Sequence, residues 1–202
     1  KPTPAKKAGA KKKKEEKSKK EVAKKRDEKK EADKDKKKDE YPESYKKYDR
    51  RSEGIWAQFE PNSYLNEKFV LKISYLGIPA GNVMLKTEAK QEIGGQEVFH
   101  FRAHLKSAQY YSYIYTLDDR LESFVGAEDF IPVKYSLIQR ESGQKVDDLQ
   151  LFDKEELKTF FFYKQIKDGE TRKKEKEAPI PYYFQDSFSS LYFVRGLPLE
   201  VG

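Results

Sequence analysis

The 202-residue chain contains no cysteine, which excludes disulfides, thiolate metal sites and cysteine nucleophiles. It has two histidines, His100 and His104, and its only tryptophan is Trp56. No run approaches the roughly 20 apolar residues that an α-helix needs to span a bilayer. No serine sits in a nucleophile-elbow pattern, and no glycine loop has the spacing of a phosphate cradle: Gly77 and Gly81 bracket Pro79, which marks a turn. Residues 1–40 have no Phe, Tyr or Trp, and Arg26 is their only arginine. The chain opens on Lys1 where a start methionine would stand, which gives the expectation of a removed leader, by signal-peptide cleavage or by trimming. These absences remove the common hydrolase and nucleotide-binding classes. No catalytic residue, metal or cofactor is expected.

Charge is present in quantity, and it is unevenly placed. Residues 1–40 carry 19 Lys+Arg against 10 Asp+Glu, a net of +9, whereas the remainder has a net of −2. Glu15/Lys19, Glu16/Lys20 and Glu21/Lys25 stand four residues apart, and such pairs give ~0.3–0.5 kcal/mol each, enough for a solvated helix and too little for a packed one. The expected organisation is a Lys-rich tail and linker over 1–52, disordered or helical, followed by an aromatic-rich β domain over 53–202. The tail reads as a solubilising spacer or as an adhesive for an anionic surface. Interspersed acids, a single arginine and no stacking aromatics argue against sequence-specific nucleic-acid binding.

From Phe69 onward the period changes to two. Phe69, Leu71, Ile73 and Tyr75 alternate with Val70, Lys72 and Ser74; Val83 and Leu85 alternate with Met84 and Lys86; Phe99, Phe101, Ala103 and Leu105 alternate with His100, Arg102, His104 and Lys106. That is the mark of strands with one buried face, joined through Gly77–Gly81 and Gly94-Gly95 as hairpins. Further strands are expected through Tyr111–Tyr115 and Arg120–Phe124. A hairpin about Ser142-Gly143 and a strand over Leu157–Ile166 follow, and KKEKEAPIP (173–181) reads as a polar connection. The 41–56 stretch reads as a transition. One helix is expected, capped by Asp186 or Ser187, with Phe188, Leu191 and Tyr192 as its stripe and Gly196 at its end. The fold class is mostly β: a curved antiparallel sheet or half-barrel meander with one packed C-terminal helix. LPLEVG (197–202) reads as the start of another strand, giving the expectation that the domain continues.

Five segments in this order, KISYLGIPAG (72–81), HFRAH (100–104), DDRLES (118–123), Pro132–Tyr135 and QDSFSSLYFVRGLPL (185–199), resemble a family of bacterial exported proteins, domain-of-unknown-function family 3108. The resemblance covers roughly 64–202. It implies a Gram-negative periplasmic or envelope protein, a curved antiparallel sheet and more strands after the helix, and it brings no activity and no site. The long Lys-rich tail departs from the family pattern.

Two groups of residues remain as candidates. His100 and His104 are spaced as HxxxH, but on a strand four residues span about 13 Å, and two ligands must each approach a zinc to about 2.1 Å. A shared metal is not expected, and both histidines are expected on an exposed face beside Arg102. Asp119, Arg120 and Glu122 complete this polar cluster, read as a cross-strand salt-bridge ladder. A sugar-acting pair of carboxylates, Asp119 or Glu122, is the remote alternative. The second group is aromatic: Tyr111, Tyr113, Tyr115, Phe160, Phe162 and Tyr183 would line a concavity for a lipid or other amphiphile, ring against chain and hydroxyl against headgroup. The competing reading is a solid core, with the sheet acting as a structural or interaction module for a protein or an envelope polymer.

Overall fold

The computed structural model describes residues 41–61 and 65–199. The Lys-rich segment (1–40) and the last three residues of the C-terminal stretch lie outside the described residues, so the expectations placed on them do too. Nine strands follow one another: β1 Lys68–Tyr75, β2 Ile78–Thr87, β3 Gln91–Ile93, β4 Gln96–Ser107, β5 Asp118–Gly126, β6 Pro132–Glu141, β7 Gln144–Asp153, β8 Lys158–Lys167 and β9 Glu170–Pro179. Helix α1 spans Glu43–Trp56 and helix α2 Ser189–Arg195. The strands form one open antiparallel sheet in the order β1-β2-β4-β5-β6-β7-β8-β9, with β3 paired to β4. This is a meander, in which each strand pairs with its neighbours in sequence through short connections. Turns Leu76-Gly77 and Asp168-Gly169 have positive φ at both residues, the geometry that matches the twist of a two-residue hairpin.

One face of the sheet carries the core. Leu85 of β2, Phe99, Phe101 and Ala103 of β4, Val125 of β5 and Tyr135 of β6 meet Phe188, Tyr192 and Phe193 of the α2 segment. The Phe101 and Tyr192 rings stack with centroids 3.8 Å apart. Trp56, at the end of α1, lies 4.2 Å from Phe193 and donates its indole N–H to Asp129 O at 3.0 Å. Full burial of a large apolar side chain such as Phe101 or Phe130 stabilises by about 1.5–3 kcal/mol, so this cluster fixes α2 against the middle of the sheet. Every residue of β1 is exposed, and so is every residue of β9 except Ala178.

Asp186 starts α2. Its Oδ1 accepts the N–H groups of Phe188 (2.8 Å) and Ser189 (2.7 Å), and its Oδ2 accepts the Ser123 hydroxyl at 2.5 Å. Helix and sheet are therefore joined by one buried carboxylate. Burial raises its pKa, opposed by the Ser123 hydroxyl and the two N–H donors. Gly196 closes the helix and packs against Phe59 and the carbonyl of Glu60.

Four local expectations need correction. Tyr111–Tyr115 is not a strand: Tyr111–Tyr113 forms a 3₁₀ turn, because the Ala108 carbonyl takes the N–H groups of Tyr111 and Ser112 (2.9 and 3.0 Å) and closes the β4–β5 link locally. Glu170–Pro179, which includes most of the expected polar connection, is strand β9, held by ladder bonds to β8 with no apolar face to betray it. Tyr41–Trp56 is mostly helix, its amphipathic side anchored by Trp56. On α2, Leu191 is half exposed, and Phe193 takes the buried position beside Phe188 and Tyr192.

Candidate functional site

The face away from the helix carries the site. Its rows follow from the strand register. Ser136 of β6 stands beside Leu149 of β7, then Phe162 of β8 and Glu175 of β9. In the adjacent row Ile138, Asp147, Lys164 and Lys173 stand side by side. Together with Lys134 these residues enclose an open concavity of about 490 Å³, whose lining Asp148, Tyr163 and Lys174 complete. Ile138, Leu149 and Phe162 make an apolar floor, and lysines edge it.

Four lysines, Lys134, Lys164, Lys173 and Lys174, line the concavity with three carboxylates, Asp147, Asp148 and Glu175. Arg140 holds Asp147 at 2.6 Å, and burial raises the Asp148 pKa, against a hydrogen bond from Gln150. Among the described residues, none of Lys164, Lys173 and Lys174 belongs to an ion pair. Lys134 lies over the Phe124 ring at 5.1 Å, a cation–π contact.

The same face continues into the polar cluster on β4 and β5. Arg102 and Glu122 are register partners, with Arg102 Nε 3.1 Å from Glu122 Oε1 and Nη1 donating to Glu88 at 3.1 Å. Lys86 also binds Glu88, and this bond is the main cause of the lowered Glu88 pKa. His104 lies 2.8 Å from Asp118, and Arg120 3.8 Å from the same carboxylate. The expected cross-strand ladder is therefore present, over His100, Arg102, His104, Arg120 and Glu122. His100, expected on the exposed side, is buried, because Phe124 stacks on its ring and Gln91 of β3 reaches its Nδ1.

Asp119 does not belong to this ladder. It is buried on the opposite, helix-bearing face, where it accepts the Arg140 N–H at 2.9 Å and faces Gln139. Burial raises its pKa. Asp119 and Glu122 therefore cannot flank one substrate. Among the described residues no group of three or more His, Asp or Glu could hold a metal ion, and no helix is long and apolar enough to cross a membrane.

The aromatic candidates are not brought together. Phe162 lines the concavity, and Phe160 shares its face one row away beside Leu151. Tyr111, Tyr113 and Tyr115 lie in the β4–β5 link, while Tyr183 packs on Trp56 at 5.2 Å. The lysines that edge the concavity went unnoticed in the sequence, since Lys134, Lys164 and Lys173 meet only through the register of β6, β8 and β9.

The fold and register having been laid out, comparison with known families gives one result. Residues 70–202 match the family described as Protein of unknown function (DUF3108). The chain belongs to that family. The DUF3108 match begins within β1 and takes in the whole remaining sheet, α2 and the concavity. No curated protein and no solved structure matches the chain.

Proposed function

We propose that this DUF3108 protein is a non-catalytic, exported cell-envelope protein that binds a lipid or other amphiphile on the outer face of its sheet, its basic N-terminal segment contacting an anionic surface. The observation that carries the reading is an apolar floor of Ile138, Leu149 and Phe162 edged by Lys164 and Lys173. An acyl or ring portion would lie on the floor and an acidic head would meet the lysines. Covering a floor of three apolar side chains gives at most about 1.5–3 kcal/mol for each one fully buried, and association itself costs about 4 kcal/mol or more. Useful binding therefore depends on the charged head as well. The envelope location rests on the family resemblance.

The test is native mass spectrometry of protein purified gently from its own envelope fraction, beside Phe162→Ser, Lys164→Glu/Lys173→Glu and a form lacking residues 1–40. A co-purifying small molecule retained without residues 1–40 and lost in both site variants supports the reading. No bound mass, together with no uptake of a fluorescent fatty acid, overturns it. The second reading, an interaction module, draws on the exposed β1 edge, where Phe69, Leu71 and Ile73 lie open to solvent and an extended partner segment could add a strand.

A further inference from the structure

Charge is dense in this chain, at 38% of residues, yet two long stretches have none. From Ile73 to Leu85 and from Ser107 to Leu117 there is no Asp, Glu, Lys or Arg. They are far apart in sequence and meet at one end of the sheet. Gly81 of β2 pairs with Ser107 of β4, and the Ala108 N–H donates to the Ala80 carbonyl at 2.8 Å. The Tyr110 hydroxyl donates to the Pro79 carbonyl. On the far side the link is braced to the β6–β7 turn, through Ser142 N–H to Thr116 O at 3.0 Å. The result is one braced tip built from two uncharged connections, with Glu141 of β6 at its side accepting the Tyr115 hydroxyl at 2.7 Å.

What this tip displays is large and apolar. Leu76 is 84% exposed, Tyr113 88% and Ile114 78%, with Tyr75, Ile78 and Tyr110 also exposed around them. Leu76 holds φ at 50°, in the left-handed region where Gly or Asn would sit without strain. A leucine kept there, with its side chain in water, serves neither the turn nor the core. Convex loops bearing Leu, Ile and several Tyr suit the water–bilayer interface, where tyrosine places its ring at headgroup depth. The charges behind the tip fit as well: Lys72 and Lys106 are exposed on β1 and β4, each immediately before its uncharged segment. The 40 residues at the N-terminus add a net +9, which an anionic membrane attracts.

The geometry points to this tip as a membrane-docking element, with Leu76, Tyr113 and Ile114 entering the interface of an anionic phospholipid bilayer. It is a different surface from the concavity over β6–β9 and does not depend on that reading. The partner is the bilayer itself.

The absence of cysteine makes the test direct. Full-length protein carrying Ile114→Cys, labelled with an environment-sensitive dye, is mixed with phosphatidylglycerol/phosphatidylcholine vesicles. Glu155→Cys, in the β7–β8 turn at the other end of the sheet, is the control. A blue shift at position 114 and none at position 155 supports the proposal. In co-sedimentation, Leu76→Asn/Tyr113→Ser/Ile114→Ser should bind at least about tenfold more weakly, the scale of losing one inserted apolar side chain. Asn relieves the backbone at position 76, so Leu76→Asn alone should hold or raise Tm, which separates lost docking from lost folding. No vesicle-dependent shift at position 114, equal shifts at both positions, or undiminished binding by the triple variant would overturn the proposal. A shift that follows protein concentration without vesicles would instead assign the tip to a second copy of the chain.

Discussion

His100 and Phe124 are register partners on β4 and β5, and their rings lie parallel, 4.2 Å apart with 13° between planes. The imidazole thus has an aromatic lid and a neighbour, Gln91, whose amide reaches Nδ1 at 3.1 Å. Its Nε2 faces Glu122 at 3.4 Å. Desolvation lowers its pKa, with Arg102 acting the same way and Glu122 and Glu88 opposing. A folded-state value below the unfolded one means that the native state holds fewer protons on this group. Stability is therefore full above the ordinary histidine value of about 6.5 and is lost as pH falls below it. The denaturation midpoint should decline from pH 7 to pH 5, and His100→Phe should flatten that decline. An unchanged slope in the variant would show that other groups cause it.

Asp186 joins α2 to β5 through three accepted hydrogen bonds. Asp186→Ala removes the acceptor for Phe188 and Ser189 and leaves Ser123 buried without its partner, so it should destabilise by about 2–4 kcal/mol. Asp186→Asn keeps an acceptor and should lose less than half of that. Because burial raises this carboxyl's pKa, its contribution is greatest when protonated and is lost as pH rises through its titration range. The Asn variant should lack that component. Urea unfolding of the three forms at pH 4 and pH 7 checks both statements.

Gly196 sits where a Cβ would collide with the Phe59 ring and the Glu60 carbonyl. Its own carbonyl accepts the Glu60 N–H at 2.9 Å, so the segment after α1 cannot simply withdraw. Gly196→Ala should cost about 1–3 kcal/mol, the range for overpacking, read as a drop in Tm. A neutral result would mean that residues 59–60 shift freely.

Arg195 makes a two-pronged contact with Glu67, at 2.7 and 2.9 Å, while its guanidinium lies 5.4 Å from the Phe69 ring centroid and 5.8 Å from that of Tyr192. Lysine keeps the charge and loses the fork and the stacking. Arg195→Lys should therefore cost about 1 kcal/mol, and Glu67→Gln about as much. The double variant, measured in a thermodynamic cycle, should fall short of the sum.

Apolar alternation made β2, β4 and β6 readable, since each has residues two apart on a packed face; it also found β1 as a strand, but the buried face expected there is absent, because Phe69, Leu71, Ile73 and Tyr75 are all exposed at the sheet margin. The same rule misled at Tyr111–Tyr115, where the Ala108 carbonyl closes a 3₁₀ turn and the alternating tyrosines share no strand face. At β9, lysine and glutamate occupy both faces, and no periodicity of apolar residues exists to be read; its strand state comes from the carbonyls and amides of β8. Asp119 and Arg120 are consecutive on a strand and must point to opposite faces, which divides the polar cluster. The concavity lay beyond sequence reasoning because its floor and edge come from four strands whose register only the fold supplies.

The two margins of the sheet are unlike. β9 presents Glu170, Arg172, Lys173, Lys174, Glu175, Lys176 and Glu177, a row that resists pairing with another strand. β1 presents Phe69, Val70, Leu71, Ile73 and Tyr75 beside two lysines, Lys68 and Lys72. The sheet is therefore directional in growth: an incoming strand, whatever chain supplies it, meets a repellent border at β9 and a receptive one at β1.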